Sequence, residues 1–278
     1  MLYDLAVAYR IYPKVSKPTP VFSQDKRRLA ALCLRSFKQA IGSLRVKIYA
    51  ILDGCPPDYE TLFTQHFPTP DLELINVNSL GNRATFGRQI DLLLDQQDSD
   101  LVYFAEGDYF YLPGALEALV RFARDNEDAH FVSPYDHPDA YQLALHPKRQ
   151  ELRVFGDRHW RTSASTCLTF LTPKQVLRRT AGVFRTYQKT NLDVSLWMAL
   201  TKQTVLSPAR FLRCCRQRIQ YGGYIAQAWR YNGLRLLWGP RYKLWIPLPT
   251  VATHMEAAHL APAVNWRQLL TAASAMES

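Results

Sequence analysis

The chain has 278 residues, of which 47% are hydrophobic, 12% aromatic and 21% charged, with five cysteines and a formal net charge of +10. That composition holds one large core, or one core with a small appendage, and excludes a disordered or low-complexity protein. Cys33, Cys55, Cys167, Cys214 and Cys215 show no CxxC spacing, no apolar run reaches the roughly 18 residues of a membrane span, and no basic stretch leads into an apolar one at the start; neither a disulfide framework, a zinc ribbon, a transmembrane anchor nor a signal peptide is therefore expected, and a reducing, cytoplasmic setting is.

Leu5–Tyr9 is a short continuous apolar run, the pattern of a strand buried on both faces. A Pro-rich loop follows, and Asp25–Ile41 carries Leu29, Leu32, Cys33, Phe37 and Ala40 at helical spacing with Gly42 at its end. Val46–Leu52 is a second strand, followed by Asp53-Gly54. A helix over Tyr59–Phe67, a strand over Leu72–Val77, a helix over Asn82–Leu94 and a strand over Leu101–Ala105 come next. Pro113–Asn126 is a helix with Pro in its first turn, and Phe131–Ser133 is a short strand.

Alternating strands and helices through the first 135 residues predict an α/β sandwich with a mainly parallel central sheet. Beyond that point the pattern loosens. A strand is expected over Thr166–Leu171, a helix opening at Thr172-Pro173, another over Leu192–Leu200, and a last extended segment over Ile246–Thr253. Ser207-Pro208 is the best place for a boundary. The expected organisation is a main domain over 1–206, in two halves (1–112 and 113–206), and a C-terminal extension over 207–278.

The positive charge is local. Val194–Met255 contains no Asp or Glu but nine Lys and Arg residues, and the rest of the chain is nearly balanced. Phe211, Tyr221, Tyr224, Trp229, Tyr231, Trp238, Tyr242 and Trp245 are interleaved with them. Arginines among aromatics suit an anionic membrane surface, here through 210–245 at the inner face of a membrane. Single-stranded nucleic acid is a less favoured partner.

No GxxxxGK[ST] phosphate loop, GxGxxG, HExxH or GxSxG occurs, which removes the usual support for an ATPase, a dehydrogenase, a zincin or an α/β-hydrolase. What remains is Glu106-Gly107-Asp108, two carboxylates following a buried strand. In open α/β sheets ligands bind beyond the C-terminal strand ends. Two acids there can hold a hard divalent cation that bridges a diphosphate and takes up charge as it leaves.

On these residues the chain resembles a glycosyltransferase of the GT-A fold, similar to the large family-two group. The resemblance covers roughly residues 2–200 in element order, and it implies that 1–206 is a catalytic domain with a nucleotide-binding half (1–112) and an acceptor half (113–206). It implies a GT-A-type (Rossmann-like) three-layer sandwich, and it places Tyr9, Arg10 and Asp53 on the nucleotide base, Arg83 on the nucleotide, and Gln89 where many relatives have Asn. Glu106-Gly107-Asp108 matches the family's DxD-type motif. Gly107 departs from the Asp that many relatives have there, which leaves Asp108 as the principal metal ligand. By the same resemblance Asp193, at a helix start, is the catalytic base of an inverting enzyme, and His254 is a second ligand to the metal or diphosphate, brought back by the C-terminal extension. An imidazole ligand favours Mn²⁺ over Mg²⁺. Asp193 also fits an ordinary helix cap.

Tyr135, Asp136 and His137, with Trp160, Arg161, Thr162 and Ser165, are expected to shape the acceptor pocket, since aromatic faces suit sugar rings and Arg suits phosphate. Asp136 is the reserve base. The implied activity is metal-dependent transfer of a hexose from a UDP- or GDP-linked sugar to a hydroxyl on a glycan or lipid-linked acceptor. Two other classes fit less well: a nucleotidyltransferase, for which Arg10–Pro20 lacks the glycines of a phosphate loop, and a non-catalytic protein that docks on membrane or nucleic acid.

Overall fold

A computed structural model describes residues 2–15, 17–146 and 150–275. Parallel strands β1 (Leu5–Ile11), β2 (Val46–Asp53), β3 (Leu72–Val77) and β4 (Leu101–Glu106) form the first half of a nine-stranded sheet in the order β3-β2-β1-β4. Helices α1 (Lys26–Ile41), α2 (Asp58–Thr64) and α3 (Asn82–Asp95) supply the crossovers. Asp25 caps α1 by accepting from the Arg28 N–H (3.0 Å), and Gly42 ends it at φ +59°.

Beyond β4 the sheet continues through β9 (Phe170–Pro173), β6 (Phe131–Val132), β10 (Leu244–Leu248), β8 (Arg158–Ser163) and β7 (Leu152–Phe155). β9 runs antiparallel to β4 and β6, β10 is parallel to β6, and β7 and β8 join antiparallel. A small second sheet pairs β5 (Tyr109–Tyr111) with β11 (Ala252–His254). The remaining helices are α4 (Ala115–Asp125), α5 (Asp139–Gln142), α6 (Lys174–Phe184), α7 (Asp193–Thr201), α8 (Pro208–Gln217), α9 (Ile219–Trp238) and α10 (Trp266–Ala275), with a 3-10 turn at Arg185–Lys189.

Alternation along β1 builds both sides of this three-layer sandwich. Leu5, Val7, Tyr9 and Ile11 enter the core under α1, α2, α4 and α10. Ala6 and Ala8 enter the opposite core, under α3, α6, α7 and α9. Burying such apolar side chains contributes about 25 cal/mol per Å² removed from water.

Three expectations are corrected. The boundary at 206/207 divides one core: α9 buries Tyr221, Ile225, Ala228 and Leu236 in the second cluster, and β10 is an interior strand of the main sheet. The strand expected from Thr166 begins only at Phe170, because side-chain bonds hold the preceding residues; the Cys167 carbonyl accepts from the Trp197 indole (3.3 Å) and Thr169 donates to Glu106 (2.9 Å). Thr172 and Pro173 close that strand, and Pro173 is at the same time the cap from which α6 opens, as expected. The extended segment over Ile246–Thr253 is two strands in two sheets.

Candidate active site

Three adjoining cavities lie past the C-terminal ends of β1, β2 and β4. The first, about 450 Å³, is lined by Asp53, Ser79, Gly81 and Asn82 on one side and by Lys14, Lys26 and Glu106–Asp108 on the other. The central one, about 230 Å³, shares Arg10, Lys26, Asn82, Glu106 and Asp108 with it and adds Lys17, Tyr187, Asp193, His254 and Glu256. The third, about 510 Å³, shares Cys167 and Asp193 with the central cavity and is lined further by His137, Ser165, Arg218 and Tyr224. Asp193 therefore stands on the wall between the second and third spaces.

The acidic pair is split in role. Glu106 is taken up internally: Arg10 Nη2 lies 2.5 Å from its Oε1, and Thr169 donates to its Oε2 at 2.9 Å. Arg10 is almost fully buried and also donates to the Asn82 carbonyl (2.7 Å) and side chain, so the pair fixes the start of α3. Asp108 faces the cavities, with His254 Nε2 3.3 Å from its Oδ2. β11 carries His254 there, in register opposite Tyr109.

Burial works against ionising Asp108, but the attraction and hydrogen bond of His254, then Lys26 and Arg10, hold its carboxyl well below the usual range. Burial likewise opposes protonation of His254, and Asp108, followed by Glu106 and Glu256, raises its pKa above the ordinary imidazole value. Gly107 has a steric reason. A Cβ there would lie 2.9 Å from Ile11 Cγ1, and its N–H donates to the Arg10 carbonyl (3.0 Å), so the turn between β4 and β5 is packed onto the end of β1.

Asp193 is the first residue of α7 and accepts from the Val194 N–H at 2.7 Å. Burial raises its pKa against that hydrogen bond, and the Glu106 charge raises it further. A carboxylate with raised basicity on a cavity wall is equipped to take a proton. Lys17, bonded to Glu256 (2.7 Å), and Lys26 bring cationic charge to the central space.

Asp53 lines the first cavity as expected, with both oxygens accepting, from the N–H groups of Leu80 (2.6 Å) and Gly81 (2.9 Å). Several other expected site residues lie elsewhere. Tyr9 is in mid-strand, its ring fully buried edge-on against Phe37 and Phe63, and it lines none of the three cavities. Arg83 is exposed over the Tyr187 ring (5.9 Å), and Asn82 takes the place expected of it. Gln89 is buried and ties β1 to β4 by donating to the carbonyls of Ala8 (2.7 Å) and Ala105 (3.0 Å).

The expected acceptor set is core. Trp160 stacks on Phe122 at 3.9 Å and 12°. Arg161 and Asp136 form an ion pair with both side chains only 2% exposed, and Tyr141 donates to the other Asp136 oxygen (2.5 Å), which removes Asp136 as a reserve base. Tyr135 is buried against Tyr109, with its hydroxyl on the His259 carbonyl (2.5 Å). Of the residues named for the acceptor pocket, only His137 and Ser165 line the third cavity, where Asp139 and Thr166 of the same segments join them. Lys17, Lys26, Asn82, Cys167, Tyr187 and Glu256 were not anticipated. The one sequence signal for any of them was the lysines following β1.

Among the described residues no three His, Cys, Asp or Glu side chains are grouped to hold a metal ion. Asp108 and His254 offer one carboxylate oxygen and one imidazole nitrogen, a donor set that fits a divalent cation whose other ligands are phosphate oxygens and water.

No family model matches the chain, and no curated protein matches it. Among solved structures it is similar to S. aureus TarS 1–349 in complex with UDP-GlcNAc, at 11% identity and a TM-score of 0.43 over 64% of this chain and 47% of that one. It is also similar to the galactosyltransferase LgtC in complex with donor and acceptor sugar analogues (10% identity, TM-score 0.42, 98% and 95% of the two chains). A third is CMP:2-keto-3-deoxy-manno-octonic acid synthetase complexed with CTP (12% identity, TM-score 0.43, 98% of both chains). The chain spans about half the length of the TarS fragment in the first comparison. Likenesses this distant concern the layout of the α/β sandwich and carry nothing about chemistry.

Proposed function

We propose that the protein is a glycosyltransferase that moves a sugar from a nucleotide-diphosphate donor to a hydroxyl of a glycan or lipid-linked glycan, with inversion at the anomeric carbon. The observation that carries this reading is the position of Asp193, on the wall shared by the central cavity, which Lys17, Lys26 and Asp108 also line, and the larger third one. The base and ribose of a UDP- or GDP-linked sugar lie in the first cavity beside Asp53 and Asn82. The diphosphate lies in the central one, near Lys17 and Lys26, and the acceptor enters the third.

Asp193 takes the proton of the acceptor hydroxyl as that oxygen attacks the anomeric carbon from the side opposite the leaving diphosphate. Its raised pKa serves that step, and Tyr224 and His137 bound the space where the acceptor sits. The leaving group gains negative charge, which Lys17 and Lys26 are placed to offset. Asp108 and His254 would hold Mn²⁺ or Mg²⁺, and such an ion supplies further positive charge to the diphosphate. The Arg10–Glu106 pair does no chemistry; it keeps Asn82 and the β4–β5 turn in place.

The test is incubation with a panel of nucleotide sugars, with and without Mn²⁺, reading nucleoside diphosphate release. Turnover with one donor, lost in Asp108→Asn and Asp193→Asn, is the expected result. Pyrophosphate release would identify a nucleotidyltransferase instead. No turnover with any donor, together with no donor binding by calorimetry, would remove the transferase reading.

A further inference from the structure

Outside the three cavities lies a fourth, about 270 Å³, walled by the cations Lys202, Arg210 and Arg241 together with Thr204 and Ser207, with no acid on its surface. Among the described residues none of these three cations has an ion-pair partner. The loop that shapes it is fixed. Thr204 donates to the Leu145 carbonyl (2.8 Å), and the Lys202 N–H closes α7 on Met198 (3.0 Å). The Trp229 indole, midway along α9, donates to the Val205 carbonyl of this loop (3.1 Å), and the Tyr242 N–H, beyond α9, donates to the Leu200 carbonyl of α7 (2.9 Å).

Leu206 lines this basic pocket and is half exposed. Phe211 and Leu212, which follow Arg210 on α8, and Leu234, Leu237 and Trp238, which precede Arg241 in the chain at the end of α9, are also exposed, Leu234 and Trp238 to 76%. Large apolar side chains exposed on the segments that carry unpaired cations suit a surface that meets more than water. The stretch Val194–Met255 contains no Asp or Glu, and among the described residues Lys243 alone of its nine basic side chains is ion-paired, to Asp128 and Glu151, which leaves the charge of the pocket available to an anionic surface.

We infer that this face docks on an anionic phospholipid bilayer, with one lipid phosphate seated between Lys202, Arg210 and Arg241 and the apolar rim entering the headgroup–acyl boundary. Cations draw the protein to the negative leaflet, and Trp238, Leu234 and Leu237 gain burial there. This goes beyond the catalytic reading and does not depend on it. Its consequence for that reading is location: the transferase works at the surface where lipid-linked acceptors are displayed.

The full chain is mixed with vesicles of phosphatidylcholine alone or of phosphatidylcholine with an equal part of phosphatidylglycerol, and bound protein is measured by flotation. Retention on the anionic vesicles is expected to exceed that on neutral ones by at least roughly tenfold and to fall as salt is raised. The pairs Leu237→Ser/Trp238→Ser and Arg210→Gln/Arg241→Gln should each lower it about tenfold, with melting temperatures kept because these side chains are exposed or partly so. The pair Arg213→Gln/Arg216→Gln, on α8 outside the pocket, should cost less; equal loss would overturn the headgroup pocket. Equal binding to both vesicles, or binding to a single-stranded oligonucleotide with none to vesicles, would overturn the membrane face. None of these readings uses catalysis, so they stand or fall separately from the donor assay.

Discussion

His254 Nε2 lies 3.3 Å from Asp108 Oδ2, although the two residues come from distant parts of the chain and meet only because β11 pairs with β5. One carboxylate of the Glu106/Asp108 motif thus faces the cavity with an imidazole beside it, and the other is consumed by Arg10 and Thr169. That division leads to distinct outcomes for similar substitutions.

Glu106→Gln removes the charge that balances a nearly buried guanidinium. Losing one partner of such a pair costs about 3 kcal/mol, so a lowered urea midpoint is expected with the metal requirement unchanged. Asp108→Asn should abolish turnover, with a loss of stability confined to the broken contact with His254. Equal behaviour of the two variants would show that the acids act as one unit.

Asp193→Asn separates capping from catalysis. Asn can still accept from the Val194 N–H and hold the helix start, but it cannot take a proton. The expected outcome is a fall in kcat of about 10²–10⁴-fold with donor affinity and melting temperature retained. A drop in melting temperature with kcat intact would make the residue a cap.

Gly107→Asp would introduce a third acid between Glu106 and Asp108, yet its Cβ would meet Ile11 at 2.9 Å, within a turn held by the Arg10 carbonyl. The variant should be less stable by about 1–3 kcal/mol and gain no activity. A thermal melt beside a rate measurement checks both halves.

Trp160→Ala should cost about 3–5 kcal/mol, because the ring is stacked on Phe122 in the core. Trp160→Phe should keep acceptor KM unchanged. A KM effect in the Phe variant would return this residue to the acceptor site.

His146 gives a pH signature. Burial, then His137 and Arg161, lowers its pKa from 6.5 to about 4. The unfolded chain binds the proton more readily, so the contribution to stability is complete above pH 6.5 and is lost progressively as pH falls from 6.5 toward 4. Urea midpoints measured across that window should decline in the native chain and decline less in His146→Leu.

The parallel half of the sheet was legible because its strands are short apolar runs and their helices carry clean apolar spacing; Leu72–Val77 matches to the residue. Tyr9 shows the limit. The run marks the strand but not which of its alternating faces meets a helix, and a shift of one position separates a core tyrosine from the cavity-lining Arg10. β8 escaped because RHWRTS looks like a polar loop; Trp160 and Arg161 are buried only through a stack and an ion pair made far along the chain. Asp193 and His254 were found by resemblance, whereas the cavities that give them meaning depend on non-local packing that no local pattern encodes.

β10 sits between β6 and β8, and residues 244–248 supply both of its hydrogen-bonded borders. A fragment ending near residue 206 would therefore leave two raw strand margins facing each other across a gap, each a template for another molecule's backbone. Cutting the chain there should yield aggregates in place of a smaller folded protein, and on the ribosome the sheet cannot close until residues 244–248 have emerged.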